Sequence, residues 1–295
     1  MAVLSAVPRV AVKNIIVATD FSPASELAVR YATAIARHYG AKVHLVHALE
    51  ATARDSGEHS GALWGHETEA EAEQKLQREA ERYGDIECMP WLLNGTPEEV
   101  VERLLSFEDI DLVVVGTHGS KGFRKLAIGA AAEHFFRHVH CPVLTVGPAV
   151  RDTTGLWAPR RVLLATDLEC DESTAARCAV LVAREHNAGL ALLHVAPPSA
   201  HPFPDDQKVV ARPYFESRLR ELLSYKPSLD YPAEFLVEFG EDAVAEILRV
   251  ARQRAADLLV LSVHRQEPWG FHFVHEAYRI VAEAPCPVLI TQRRY

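Results

Sequence analysis

The chain has 295 residues, enough for one large domain or two ordinary ones. Its 48% hydrophobic and 24% charged residues match a soluble globular protein, and a net charge of -9 argues against an electrostatic grip on DNA, RNA or an anionic membrane. A small anionic ligand stays open, since it needs only a local positive pocket. The opening MAVLSAVPRVAVKN lacks the charged-then-apolar pattern of a signal peptide, and no apolar run reaches the roughly 18–20 residues of a membrane span. Five scattered cysteines, Cys88, Cys141, Cys170, Cys178 and Cys286, form no CxxC pair. Neither a disulfide framework nor a Cys-rich zinc site is expected, and a reducing cytoplasm is the expected compartment.

Along the chain, short apolar runs alternate with longer helical patterns. IIVAT, from Ile15, ends in Thr19-Asp20 and leads to a helix over 23–39. KVHLVHA, from Lys42, is the second strand; a loop over 50–65 and a helix over 67–83 follow, whose acidic run reads as a solvent-exposed face. CMPWLL, from Cys88, is the third strand. Thr96-Pro97-Glu98-Glu99 then supplies an N-cap, a first-position proline and an acidic first turn for a helix over 97–107. DLVVVG, from Asp111, is the fourth strand, a helix is expected over 129–138, and PVLTV, from Pro142, is the last strand. The strands are nearly all apolar, as they are when helices cover both faces of a sheet.

The same order then recurs at an offset near 145–147 residues. NIIVATDFS answers to RVLLATDLEC, with Asp20 matched by Asp167, and HLVHALE around His47 answers to ALLHVAP around His194. LLNGTPEEVVERLL pairs with VEFGEDAVAEILRV, DLVVVGTHG with DLLVLSVHR, and HCPVLTV with PCPVLIT. This duplication gives an α/β fold of two tandem Rossmann-like or flavodoxin-like domains, 1–150 and 151–295, each a five-stranded parallel sheet flanked by helices. The linker is expected over 150–159.

Ligands of such folds bind at the carboxyl ends of strands, near a topological switch point. Asp20 and Gly116 lie at such ends. After Gly116 the first copy reads THGSKGFRKLAIGAAAE, a glycine-punctuated loop that runs into a helix near Gly129. Glycines let backbone approach a ligand closely, and a helix start presents unpaired N–H groups to an anion. Lys121, Arg124 and Lys125 add local positive charge. The loop is neither a Walker A sequence, lacking Gly-Lys-Ser/Thr, nor a GxGxxG fingerprint after the first strand.

The spacing Gly116-(two residues)-Gly119-(nine residues)-Gly129 resembles the nucleotide-binding pattern of the universal stress protein family, as do VATDFSPASELAV, VHLVHALE and AEHFFRHVHCPVLTV. The resemblance covers essentially the whole chain as a tandem pair. It implies adenine and ribose near Thr19, Asp20 and the backbone of Ala48, with phosphates on Gly116, His118, Gly119 and Gly129 and the positions that follow, Ala130 and Ala131. It implies ATP or another adenine nucleotide as ligand, with Mg2+ as an accompanying ion. It also implies a regulatory role in stress response, and pairing of the two halves through their last strands as an intrachain pseudo-dimer, a homodimer being the alternative. One departure stands out: where the family pattern has Ser or Thr after the last glycine, this chain has Ala130, Ala131 and Ala132. Losing a charge-assisted hydrogen bond of that kind costs about 1.5–3 kcal/mol, roughly tenfold to a hundredfold in affinity.

In the second copy Ser262 and Arg265 replace the first two loop glycines, the third falls near Val274, and Glu267 adds repulsion. No phosphate binding is expected there, and a structural or protein-contact role is. A scaffold that binds no nucleotide is the competing reading for the whole chain. No general base, Walker lysine or metal carboxylate pair marks an enzyme. His134 and His138 share a helix face, with His140 after them, and His272 and His275 form a similar pair; a solvated or interface face is the expected reading of both rather than zinc. His47 and His194 read as hydrogen-bonded core or pocket-edge histidines, and Asp20 as either a ligand contact or a helix cap. Cys141 and Cys286 read as small buried hydrophobes, and Cys170 and Cys178 as structural.

Overall fold

A computed structural model of the chain describes residues 11–49, 68–117, 134–135, 139–152, 155–168, 173–196, 208–224, 230–263 and 271–292. The first half begins with β1 (Asn14–Ala18), α1 (Pro23–Tyr39), β2 (Lys42–Leu49) and α2 (Glu69–Glu81). It continues through β3 (Cys88–Asn94), α3 (Pro97–Phe107), β4 (Leu112–Gly116) and β5 (Val143–Val146). The second half repeats the order with β6 (Arg161–Thr166), α4 (Ser173–His186), β7 (Gly189–Ala196), α5 (Lys208–Ser224) and β8 (Ala233–Phe239). It ends with α6 (Ala243–Gln253), β9 (Leu258–Val263), α7 (Phe271–Glu283) and β10 (Val288–Gln292). Of the helix expected over 129–138, only His134 and Phe135 are described, both helical.

Local chemistry sets the helix ends. Ser22 caps α1 by accepting from the Ser25 amide, Pro23 occupies the first turn, and Gly40 closes the helix at φ 66°. Thr68 and Glu71 form a capping box at the start of α2, as Thr96 and Glu99 do for α3. In the second half Asn187 takes the left-handed position after α4, at φ 49°.

The ten strands among the described residues join one sheet, in the order β3-β2-β1-β4-β5-β10-β9-β6-β7-β8. Pairing is parallel within each half. At the seam β5 and β10 run antiparallel, with Leu144 opposite Leu289. The edges are therefore β3 and β8, and Pro90 sits on β3, where an edge strand tolerates a missing donor. Two cores flank the sheet, and each crosses the seam. One gathers Ile15, Val17 and Leu144 with α1, α2, α4 and α5; the other gathers Ile16, Val113 and Phe135 with α3, α6 and α7. Gly147, just after β5, lies so close to α7 that a Cβ there would meet the Val281 carbonyl at 2.7 Å. The linker is docked as well: Trp157 is buried, edge-on to both Tyr31 and His186. No helix among the described residues is long and apolar enough to cross a membrane.

Candidate functional site

In the first half the strand order reverses at β1, which has β2 on one side and β4 on the other. The crossovers on either side cover opposite faces and leave a crevice at the strand ends. Both Thr19-Asp20, after β1, and Gly116, the last residue of β4, are there. The turn after β1 is tightly bonded. The Thr19 amide donates to the Val46 carbonyl at 2.8 Å, and the Thr19 carbonyl accepts from His47 Nδ1 at 2.7 Å. Its hydroxyl accepts from the Phe21 amide at 3.0 Å and lies 3.2 Å from Ser25 Oγ, which also accepts from the Asp20 amide at 3.3 Å. Because His47 Nδ1 faces a carbonyl, that nitrogen carries the proton.

Asp20 is half-buried, and its Oδ1 accepts from the Ser22 amide at 3.1 Å. The N-cap of α1 is Ser22, so the capping reading of Asp20 is corrected: Asp20 shapes the turn before the helix, and the shorter hydroxyl reaches the first-turn amide. Phe21 stands at φ 58°, where a bulky L-residue carries a strain of about 1–3 kcal/mol. Its ring lies 4.6 Å from the His47 ring, and the Lys75 ammonium sits over it, 5.7 Å from its centroid.

Gly116 has a stricter requirement than ligand access. A Cβ there would sit 2.7 Å from the Ala24 carbonyl oxygen and 3.1 Å from the Ser25 amide, so the end of β4 lies directly on the first turn of α1. Thr117 follows, fully buried, with its amide bonded to Val146. Ala48, in β2, pairs with Leu93. The structure thus brings Thr19, Asp20 and Gly116 to one end of the sheet with Ala48 on the adjacent strand, whereas His118, Gly119, Gly129, Ala130 and Ala131 lie outside the described residues.

The second half repeats the turn. Leu168 stands at φ 61°, its amide donates to the Thr166 hydroxyl at 3.0 Å, and His194 Nδ1 lies 2.9 Å from the Thr166 carbonyl. At the strand end matching Gly116 stands Ser262, whose hydroxyl is buried and has no hydrogen-bond partner among the described residues. The His194 ring is covered by Phe215 of α5.

Other side chains resolve into structure. His134 Nε2 lies 2.6 Å from Glu102 Oε1, an ion-pair geometry on the surface. Among the described residues no group of three or more His, Cys, Asp or Glu is placed to hold a metal ion. Burial pushes the thiols up, Cys88 and Cys178 to about 11 and Cys141 and Cys286 to about 12, away from the thiolate that a nucleophile needs. His44 is fully buried and accepts from Trp91 Nε1 at 3.1 Å. Asp111 has a role that reading the first copy by itself did not suggest. Its Oδ2 accepts from the Lys13 and Asn14 amides at 2.7 and 3.0 Å, as Asp257 Oδ2 does from Arg160 and Arg161 at 2.9 and 3.0 Å. The recurrence of this Asp in both copies was the available signal.

The family model described as the universal stress protein family matches residues 11–147 and 159–292. A universal stress protein of Methanocaldococcus jannaschii is 30% identical over 140 residues, which is 45% of this chain and 81% of that protein. Among solved structures, a universal stress protein from Archaeoglobus fulgidus superposes with a TM-score of 0.67 at 18% identity, covering 95% of this chain and 98% of its own. A putative universal stress protein from Pseudomonas aeruginosa gives 0.62 at 15% identity, covering 96% and 94%. These two likenesses concern the fold over the full length of the tandem chain.

Proposed function

Because the chain belongs to the universal stress protein family along both of its halves, we propose that its first half binds an adenine nucleotide, ATP among them, and that it acts as a stress-response regulator rather than an enzyme. One observation carries this reading: the close packing of Gly116 on Ala24 and Ser25. That contact holds Gly116, the residue from which the glycine-punctuated sequence departs, beside the Thr19–Asp20 turn at the switch point. The half-buried Asp20 carboxylate suits a donor on the base or ribose, and the backbone amides of the loop suit phosphate. Ala130 to Ala132 leave those amides without hydroxyl support, so weak binding, in the micromolar range or above, is the expectation. Mg2+ would arrive on the phosphates, since one carboxylate falls short of an ion's ligand set.

Isothermal titration of the full chain with ATP, ADP and AMP tests this, alongside Gly119→Arg, which places a side chain in the loop. The expected result is saturable binding that Gly119→Arg abolishes while the fold persists. Absence of binding to the unaltered chain at millimolar nucleotide would end the reading. A scaffold acting through protein contacts is favoured by the second half alone, where Ser262 stands for the glycine and Phe215 covers His194.

A further inference from the structure

The two strand-end histidines wear the same aromatic cover but take it from different elements. Phe21 lies on His47 at 4.6 Å with the rings tilted by 39°, and Phe215 lies on His194 at 4.6 Å with a tilt of 38°. Phe21 belongs to the turn after β1, whereas Phe215 belongs to helix α5. The reciprocal positions complete the exchange. At the turn, Phe21 is matched by Leu168, each with positive φ. On the helices, the buried faces Ala72, Leu76, Ala80 and Phe215, Leu219, Leu223 align at a constant offset of 143, so Phe215 stands where the first half has Ala72. Lys75 and Arg218 follow the same offset. The first reaches over the Phe21 ring, and the second donates to the Leu168 carbonyl at 3.4 Å.

A ring that only filled space could ride on either element. The covalent attachment is what differs. In the first half one imidazole holds both flanks of Asp20, through its Nδ1 on the Thr19 carbonyl and its face on the Phe21 ring. In the second half the imidazole bonds the Thr166 side of Asp167 and packs against Phe215 of α5, while Leu168, on the other side, is bonded by Arg218 of the same helix and has no ring of its own to stack. A turn fixed on both sides of its carboxylate loses less freedom when a ligand arrives.

We propose that Phe21, stacked on His47, is a positioning residue that holds the Thr19–Asp20 turn ready for ligand, and that moving the ring to α5 removed this support from the second half. The inference rests on the nucleotide reading for its binding readout but not for its structural one. Three full-length chains test it: the unaltered protein, Phe21→Leu, and Phe21→Leu with Ala72→Phe, which rebuilds the second-half arrangement in the first. Thermal stability, ATP affinity and amide exchange at Asp20, Phe21 and Ser22 are measured together. Phe21→Leu is expected to weaken ATP binding about tenfold, to speed exchange in the turn and to lower stability. Adding Ala72→Phe is expected to recover stability while affinity and exchange stay at the single-variant level. Recovery of all three by the double variant, or a loss of stability alone in Phe21→Leu, would overturn the inference in favour of simple space filling. If the unaltered chain binds no ATP, the nucleotide reading fails, and the exchange rates alone decide whether Phe21 fixes the turn. Should the double variant not fold, Leu168→Phe with Phe215→Ala in the second half makes the converse test. Slower exchange at Asp167 and Leu168 supports the proposal, and unchanged exchange refutes it.

Discussion

Thr145 of β5 lies directly opposite Val288 of β10, and its buried hydroxyl donates to the Val288 carbonyl at 3.2 Å across the seam between the halves. Both cores also run through this seam, so the halves share packing as well as a ladder. Thr145→Val keeps the shape and removes the bond, and should cost about 0.5–1.5 kcal/mol. The loss should appear in one cooperative urea transition seen alike by circular dichroism and fluorescence. Two separated transitions, with only one moved by the substitution, would show that the halves unfold independently.

Asp111 and Asp257 act as clamps where the first and fourth strands of each half begin, each carboxylate oxygen accepting two consecutive backbone amides. Truncation to alanine strands both donors. Asp111→Ala and Asp257→Ala should each lower stability by about 1–3 kcal/mol, and Asp111→Asn by less, since its amide oxygen still accepts. Urea midpoints at constant slope measure this, and a loss below about 0.5 kcal/mol in both alanine variants would mean water substitutes for the carboxylate.

The sequence showed most of what is local. Helices α1 and α3 span the expected residues because each has a hydroxyl cap followed by proline. Helix α2 starts two residues later than expected because Thr68, inside the acidic run, caps it. The duplication made the fold class and the switch-point position of Thr19, Asp20 and Gly116 readable. What was not readable depends on residues distant in the chain. His47 finds the Thr19 carbonyl 28 residues back, Gly116 meets the backbone of Ala24, and Phe215 replaces Phe21 from a different element. Continuous apolar runs mark the strands but carry neither their faces nor the antiparallel register of β5 on β10.

Acid should weaken the fold through His44 and His186. Burial holds His44 below the ordinary value of 6.5, with Lys42 adding to the effect and Glu108 and Glu87 opposing it. Burial and the neighbouring His38 do the same to His186, against Glu185. The unfolded chain therefore takes up these protons first as pH falls. Stability from the neutral rings is complete above about pH 6.5 and is lost as pH drops through that value toward the lower folded ones. Chemical denaturation at pH 7.5 and 5.5 should show a decline that is shallower in His186→Phe. Equal slopes in the two proteins would remove His186 from the account. Asp85 and Asp242, held low by their arginine partners, act in a separate window below the ordinary carboxylate range.

Gly116 and Ser262 occupy matching strand ends, and their opposite chemistry gives opposite predictions. A methyl at Gly116 would meet the Ala24 carbonyl at 2.7 Å, and backbone cannot swing aside as a flexible side chain can. Gly116→Ala should therefore cost about 1–3 kcal/mol through overpacking, and displacing α1 should disturb the Thr19–Asp20 turn with it. Ser262 already carries a Cβ, and its buried hydroxyl has no partner among the described residues. Ser262→Ala removes a desolvated polar group and should be neutral or stabilising by up to about 1 kcal/mol. Thermal melts of the two variants decide the matter. A tolerated Gly116→Ala would mean that the strand end has room after all, and that its glycine answers to the ligand and not to the helix.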